Sequence, residues 1–179
     1  MHYEVETKIK VKDPNEMRKK IRSFAKFYKK VRKEDVYFRK KSDCTSYPKR
    51  TFRIRKENGF YILGHKEGEW PRLIYTKKEF EHKIKDFKRT KNRLMKEGFV
   101  FFCKKIKYCE VYKYKGASIE LNKVKNLGWY VEIEILCNEK KIKPAKEKIR
   151  KIMKLLDVKN KDVETRGYTV ILYEMGLTK

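Results

Sequence analysis

The sequence predicts an α+β fold on a largely antiparallel sheet of about eight strands, and three observations carry that prediction. Short segments along the chain alternate apolar and charged residues with the two-residue period of a half-buried strand. Turn chemistry, above all Asn58-Gly59, joins neighbouring segments into hairpins. Helical spacing appears only between groups of strands, as expected of an α+β arrangement. The 179 residues suit a single domain, residues 1–179, and no repeat or low-complexity linker divides them.

Taken in order, residues 2–12 (HYEVETKIKVK) place Tyr3, Val5, Ile9 and Val11 on one face and Glu4, Glu6, Lys8 and Lys10 on the other. Asp13-Pro14-Asn15-Glu16 then supplies an N-cap, a proline at the first helical position and a glutamate three residues after the cap. This predicts a helix over about 14–30 with Met17, Ile21, Phe24, Phe27 and Tyr28 as its apolar set. A short strand follows at 35–39, then a polar loop containing Pro48. Strands at 51–56 and 60–66 flank Asn58-Gly59, and another strand is expected at 73–82. Residues 86–97 suit a helix closed by Gly98. Strands at about 103–114, 117–124 and 129–137 turn at Gly116 and Gly128. Pro144 opens a helix with Ala145, Ile149, Ile152, Met153 and Leu156 inward, and a short helical tail ends the chain.

Composition bounds the function. Fifty Lys and Arg residues against 24 Asp and Glu give a formal charge of +26, yet 40% of residues are hydrophobic and 13% aromatic, which excludes a disordered chain. No apolar run approaches the roughly 20 residues of a membrane-spanning helix. The N-terminus lacks the pattern of a secretory signal, so a cytoplasmic protein is expected. Cys44, Cys103, Cys109 and Cys137 form no CxxC pair and read as thiols, and His2, His65 and His82 share no ligand spacing. The charge itself points to a phosphate-rich partner such as nucleic acid. However, 38 of the 50 basic residues are lysine and glutamine is absent, a bias also seen in proteins of hot environments. Position must therefore decide what the charge means.

Six strands put ionisable groups on one face and apolar groups on the other. Glu4, Glu6 and Lys8 share a face, as do Arg53 and Arg55, Glu79 and Glu81, Lys105 and Lys107, Glu120 and Asn122, and Glu132 and Glu134. Periodicity alone leaves open a sheet with one solvated face. Against it, acids are scarce, yet three strands hold them in i, i+2 pairs that repel unless a cation intervenes. Eight strands also suffice to close a barrel, which removes sheet edges and turns the charged faces inward. Grouped carboxylates are hard oxygen donors of the kind Mg²⁺ or Mn²⁺ prefers, and arginine and lysine on neighbouring strands bind phosphate. Together they suggest a metal-bound polyphosphate held by side chains, since no glycine-rich phosphate loop is present.

The ordered motifs resemble the CYTH family, also called triphosphate tunnel metalloenzymes, which includes class IV adenylyl cyclases, thiamine triphosphatases and tripolyphosphatases. Glu4-Val5-Glu6-Thr7-Lys8 resembles its ExExK signature and Asp35-Val36-Tyr37-Phe38 its DxYF segment. Phe52-Arg53-Ile54-Arg55 is similar to its RxR strand, and Lys66 to the basic residue on the next. Residues 121–134, with Leu127-Gly128-Trp129 and Glu132-Ile133-Glu134, resemble its LDxVxxLGxFxEIE block, and Arg166-Gly167-Tyr168 its terminal RSY.

The resemblance implies an eight-stranded antiparallel β-barrel, a triphosphate tunnel, with helices packed outside. It implies an enzyme using Mg²⁺ or Mn²⁺ on a nucleoside or organic triphosphate, most like a class IV adenylyl cyclase making cyclic AMP and pyrophosphate from ATP. Hydrolysis of thiamine triphosphate or tripolyphosphate is the alternative, and a non-catalytic RNA- or polyanion-binding module the reading of another class. By position, Glu4, Glu6, Glu132 and Glu134 would hold metal, with Glu79, Glu81 and Asn122 as further contributors. Lys8, Arg53, Arg55, Lys66, Lys105, Lys107 and Arg166 would bind phosphate, and Lys8 and Tyr37 would act in catalysis. Two residues depart from the pattern: Asn122 stands where the family has aspartate, and Cys109 where it has arginine, with Lys105 on the same face. The expected partner is the triphosphate, with no membrane, nucleic acid secondary, and a monomer or homodimer.

Overall fold

The alternating N-terminal segment forms β1 (Tyr3–Val11). The computed structural model describes residues 3–43, 47, 48, 50–68 and 72–178, without the side chains of Lys66, Glu67 and Glu79. Asp13 caps α1 (Pro14–Arg22), accepting from the backbone N–H of Asn15 at 2.8 Å and of Glu16 at 3.1 Å. There follow β2 (Lys26–Lys40), β3 (Thr51–Glu57), β4 (Phe60–Gly68), β5 (Tyr75–Ile84), α2 (Phe87–Lys96), β6 (Phe99–Tyr114), β7 (Ala117–Val124), β8 (Gly128–Cys137), α3 (Ile142–Leu155) and α4 (Tyr168–Glu174). Among the described residues these eight strands hydrogen-bond in the order β1-β5-β4-β3-β2-β6-β7-β8, and β8 returns to β1 to close the antiparallel barrel. The eight-stranded barrel predicted from the sequence is the observed fold.

Two expectations are corrected. The helix read as 14–30 ends at Arg22, where Ser23 N–H bonds back to Lys19 O and Ala25 N–H to Ile21 O, and Lys26 already begins β2, so the short strand read as 35–39 is the last part of a 15-residue strand. The aromatic residues that mimicked a helical stripe pack edge-on against a strand instead, Phe24 on Tyr114 and Phe27 on Tyr112 with centroids 5.0 and 5.6 Å apart. Tertiary packing overrides the local period here. Pro144 does not open α3, which starts two residues earlier at Ile142; within the first turn a proline forfeits no helical hydrogen bond.

The chain divides into two compact units, residues 1–31, 67–79 and 108–165, and residues 32–66, 80–107 and 166–179. In the first, β1 pairs with β8 from Tyr3↔Cys137 to Val11↔Trp129, and β7 pairs with β8. One face of these strands supplies Val5, Ile9, Ile119, Leu121, Val131 and Ile133, which pack with Ile21 of α1 and Ile149 and Ile152 of α3. Each of these side chains is at most 1% exposed, and burying one stabilises by roughly 1.5–3 kcal/mol.

In the second unit β3 pairs with β2 and β4. The β3–β4 hairpin turns at Asn58 and Gly59, with φ of 49° and 80°, as the two-residue turn requires. Phe38, Ile54, Leu94 and Phe99 form its core, with Phe52 set edge-on against Phe99. Gly64 of β4 marks a close approach: a Cβ there would lie 2.9 Å from the Phe80 carbonyl oxygen. Gly64→Ala should therefore cost about 1–3 kcal/mol, read as a lower thermal midpoint.

Candidate active site

The charged face of β1 is buried. Glu4, Glu6 and Lys8 are 3%, 9% and 2% exposed, on the face opposite Val5 and Ile9, so the solvated-face reading fails. The pairing register sets Glu6 opposite Glu134 and Lys8 opposite Glu132 on β8, and Glu132 opposite Glu120 on β7. Two carboxylate pairs thus face each other across strands, an arrangement that costs stability unless positive charge enters. Lys77 of β5 places its Nζ 3.0 Å from Glu6 Oε1, and the Tyr75 hydroxyl donates to the same oxygen. Burial, reinforced by Glu6, holds the Tyr75 hydroxyl well above its usual titration range, so it remains a donor. Burial pulls the Lys8 ammonium down to about 8, although Glu132 and Glu6 oppose the shift.

Asn122 is fully buried on β7. Its Nδ2 donates to Glu132 Oε2 at 3.0 Å, while its Oδ1 is buried with no hydrogen-bond partner. An orphaned carbonyl oxygen among Glu4, Glu6, Glu120, Glu132 and Glu134 completes a set of hard donors on shared strand faces, and in chemistry the set fits Mg²⁺ or Mn²⁺. Among the described residues, no three His, Cys, Asp or Glu side chains already converge as a metal cluster.

The other unit carries a larger group of cations, with both of the site's buried arginine pairs. Asp35 of β2 is completely buried and holds two of them. Arg55 of β3 donates from Nε to Oδ1 at 2.7 Å and from NH2 to Oδ2 at 3.1 Å, and Lys105 of β6 lies 3.0 Å from Oδ2. Burial alone would raise the Asp35 pKa. The charges of Arg55, Lys105 and Arg53 outweigh it and hold the carboxyl well below its ordinary range, and Asp35 in turn raises Arg55 against the effect of burial. Lys105 Nζ also donates to the Tyr37 hydroxyl at 2.9 Å, and that hydroxyl donates weakly to Asp35 at 3.4 Å. Arg53 pairs with Glu81 of β5. Lys105 and Lys107 lie 5.1 and 5.7 Å from the ring centre of Tyr168, at the start of α4. Arg39, two residues beyond Tyr37 on the same face of β2, is 6% exposed. Its guanidinium rests over the Phe102 ring, and its Nε has no hydrogen-bond partner.

The sequence-predicted residues therefore fall into two chemically distinct groups. Glu4, Glu6, Lys8, Asn122, Glu132 and Glu134 share the first unit, and Tyr37, Arg53, Arg55, Glu81, Lys105 and Lys107 the second. Arg166 is half-exposed and pairs on the surface with Glu174 at 2.7 Å. The side chains of Lys66 and Glu79 lie outside the described residues. Cys109, where an arginine was expected, is buried beside Val31 and Val111, at the point where the face of β6 turns from cationic to apolar. Sequence reasoning left out Tyr75, Lys77, Glu120 and Arg39 as site residues. Part of the signal was present: Glu120 was itself read on a charged face, Lys77 lies two residues from Glu79 and Arg39 two from Tyr37, whereas Tyr75 lies four residues from Glu79.

Comparison with known proteins adds ancestry to this geometry. The chain is 27% identical over 167 residues to a Methanocaldococcus jannaschii protein named "putative adenylate cyclase", covering 92% of this chain and 95% of that one. A solved structure from Pyrococcus horikoshii OT3 superposes with a TM-score of 0.81 at 31% identity, covering 96% of this chain and 99% of that one. A Hippeastrum structure, described as a "putative adenylyl cyclase" with a dominant triphosphatase activity, shares the fold at a TM-score of 0.65 and 16% identity, over 98% of this chain and 96% of that one. The CYTH domain family matches residues 2–168, encompassing the strands of both charged groups, and the chain belongs to that family.

Proposed function

We propose that this protein is a Mg²⁺- or Mn²⁺-dependent enzyme acting on a nucleoside or organic triphosphate, with conversion of ATP to cyclic AMP and pyrophosphate as its first candidate reaction. The observation that carries the reading is an excess of buried positive charge. Among the described residues of the second unit, Arg39, Arg53, Lys105 and Lys107 are each at most 7% exposed and Arg55 is nearly as buried, with the carboxylates of Asp35 and Glu81 paired to Arg55 and Arg53. Buried charge in such excess requires anions, and phosphate oxygens match the planar fork of arginine.

Glu4, Glu6, Glu132, Glu134 and the Asn122 carbonyl would hold the metal, which when bound offsets phosphate charge and polarises the phosphoryl oxygens. Arg53, Arg55, Lys105 and Lys107 take the phosphates and stabilise charge developing on the departing group. Asp35 positions Arg55 and Lys105 without touching substrate. In the cyclase reaction the ribose 3′-hydroxyl attacks the α-phosphorus and pyrophosphate leaves. Hydrolysis, with water attacking the terminal phosphorus, is the second reading. It is supported by the Tyr37 hydroxyl, which is hydrogen-bonded to Lys105 and Asp35 and would orient the water, and by the triphosphatase activity described for the Hippeastrum protein.

Incubation with ATP, thiamine triphosphate and tripolyphosphate, each with Mg²⁺ or Mn²⁺, should yield cyclic AMP with pyrophosphate, or phosphate. Absence of turnover on all three would overturn the enzymatic reading.

A further inference from the structure

The first unit carries a second basic feature that the triphosphate reading does not use. A cleft of about 820 Å³ lies along α3, with Ile74 and Met153 in its floor and Leu73, 40% exposed, on its wall. Lys146, Arg150 and Lys154 of α3 line it together with Lys159, and among the described residues no carboxylate does. Among the described residues, none of these four has an ion-pair partner within 4.0 Å. Lys146, Arg150 and Lys154 follow one another at i, i+4 and i+8. Like charges at this spacing destabilise a helix by about 0.2–0.5 kcal/mol per pair. Glu147, the one acid of α3, is absent from the lining.

We infer that this cleft is a binding site for a single-stranded nucleic acid, its phosphates running along α3 and a base resting on the apolar floor. Four residues of helix rise about 6 Å, so the three cations form a row about 12 Å long with a step comparable to the separation of neighbouring phosphates in a strand. The floor residues Ile74 and Met153 are 7% and 6% exposed, so they lie recessed beneath the cations and cannot insert into a lipid surface. A row of evenly spaced cations over a recessed apolar floor suits a regular polyanion with planar groups better than an irregularly charged acidic protein.

The test is fluorescence polarisation of a labelled 12-nucleotide oligouridylate between 50 and 300 mM KCl. The variant Lys146→Gln/Arg150→Gln/Lys154→Gln should bind at least tenfold more weakly at 100 mM salt. Its slope of log affinity against log salt should fall by about 2, since each phosphate contact on a single strand contributes about 0.7. A charge-matched variant on α2, Lys88→Gln/Lys91→Gln/Lys96→Gln, should change affinity less than twofold. Arg150→Gln alone should show an intermediate loss, which keeps the test decisive if the triple variant folds poorly. Equal losses in the two triple variants would reduce the effect to net charge and overturn the proposal. So would absence of saturable binding by the wild type, or loss in the α3 variant of binding to phosphatidylserine vesicles but not to the oligonucleotide. Triphosphate turnover reads the proposed active site independently of each of these outcomes.

Discussion

Asp35→Asn is expected to destabilise the protein by about 3–5 kcal/mol, because it leaves Arg55 and Lys105 buried beside a neutral amide. Chemical denaturation at pH 7 should show the loss as a lower midpoint. The same variant isolates a pH effect of known sign. In the folded protein the Asp35 carboxyl titrates well below its ordinary value, so its contribution is fully present above about pH 4 and fades as the pH falls toward the depressed folded-state value. The stability gap between wild type and variant should accordingly close on acidification below about pH 4. Added tripolyphosphate should restore more stability to Asp35→Asn than to the wild type, since it supplies the anion the cations have lost. A variant that tolerates the change without loss, or gains nothing extra from the polyanion, would remove Asp35 as the anchor of the cation group.

Glu134→Gln should move stability and activity in opposite directions. It relieves the direct opposition of Glu134 to Glu6 across β1 and β8 and should stabilise the metal-free protein by about 0.2–1 kcal/mol. It also removes a proposed metal ligand, so metal-dependent turnover should fall at least a hundredfold while the upward shift of the thermal midpoint with Mg²⁺ or Mn²⁺ shrinks. Scanning calorimetry with and without the ion, beside the turnover assay, checks both parts. Unchanged turnover would remove Glu134 from the site.

Most of the barrel was legible because a strand's period of two survives in the sequence wherever one face is apolar. β7 was placed residue for residue, and Asn58-Gly59 named the turn between β3 and β4. What failed was local reading where two periods coincide: Phe24, Phe27 and Tyr28 satisfy a helical spacing and an aromatic-rich strand edge alike, and only Tyr112 and Tyr114, nearly ninety residues away, decide between them. The carboxylates and arginines of the site were legible for the same reason as the strands. Asp35 and Lys77 sit at spacings that place them on charged faces, but their roles were not legible, since which group each anchors is identified only by the atoms it meets.

The pairing of β1 with β8 also bears on how the chain is made. Tyr3 meets Cys137, so the first strand leaves the ribosome long before its closing partner exists. Contacts of such long separation form slowly. Until then β1 must wait with an unpaired edge, the kind of surface that recruits other chains. Glu4, Glu6 and Lys8, costly inside the finished barrel, make that waiting strand a poor template for aggregation.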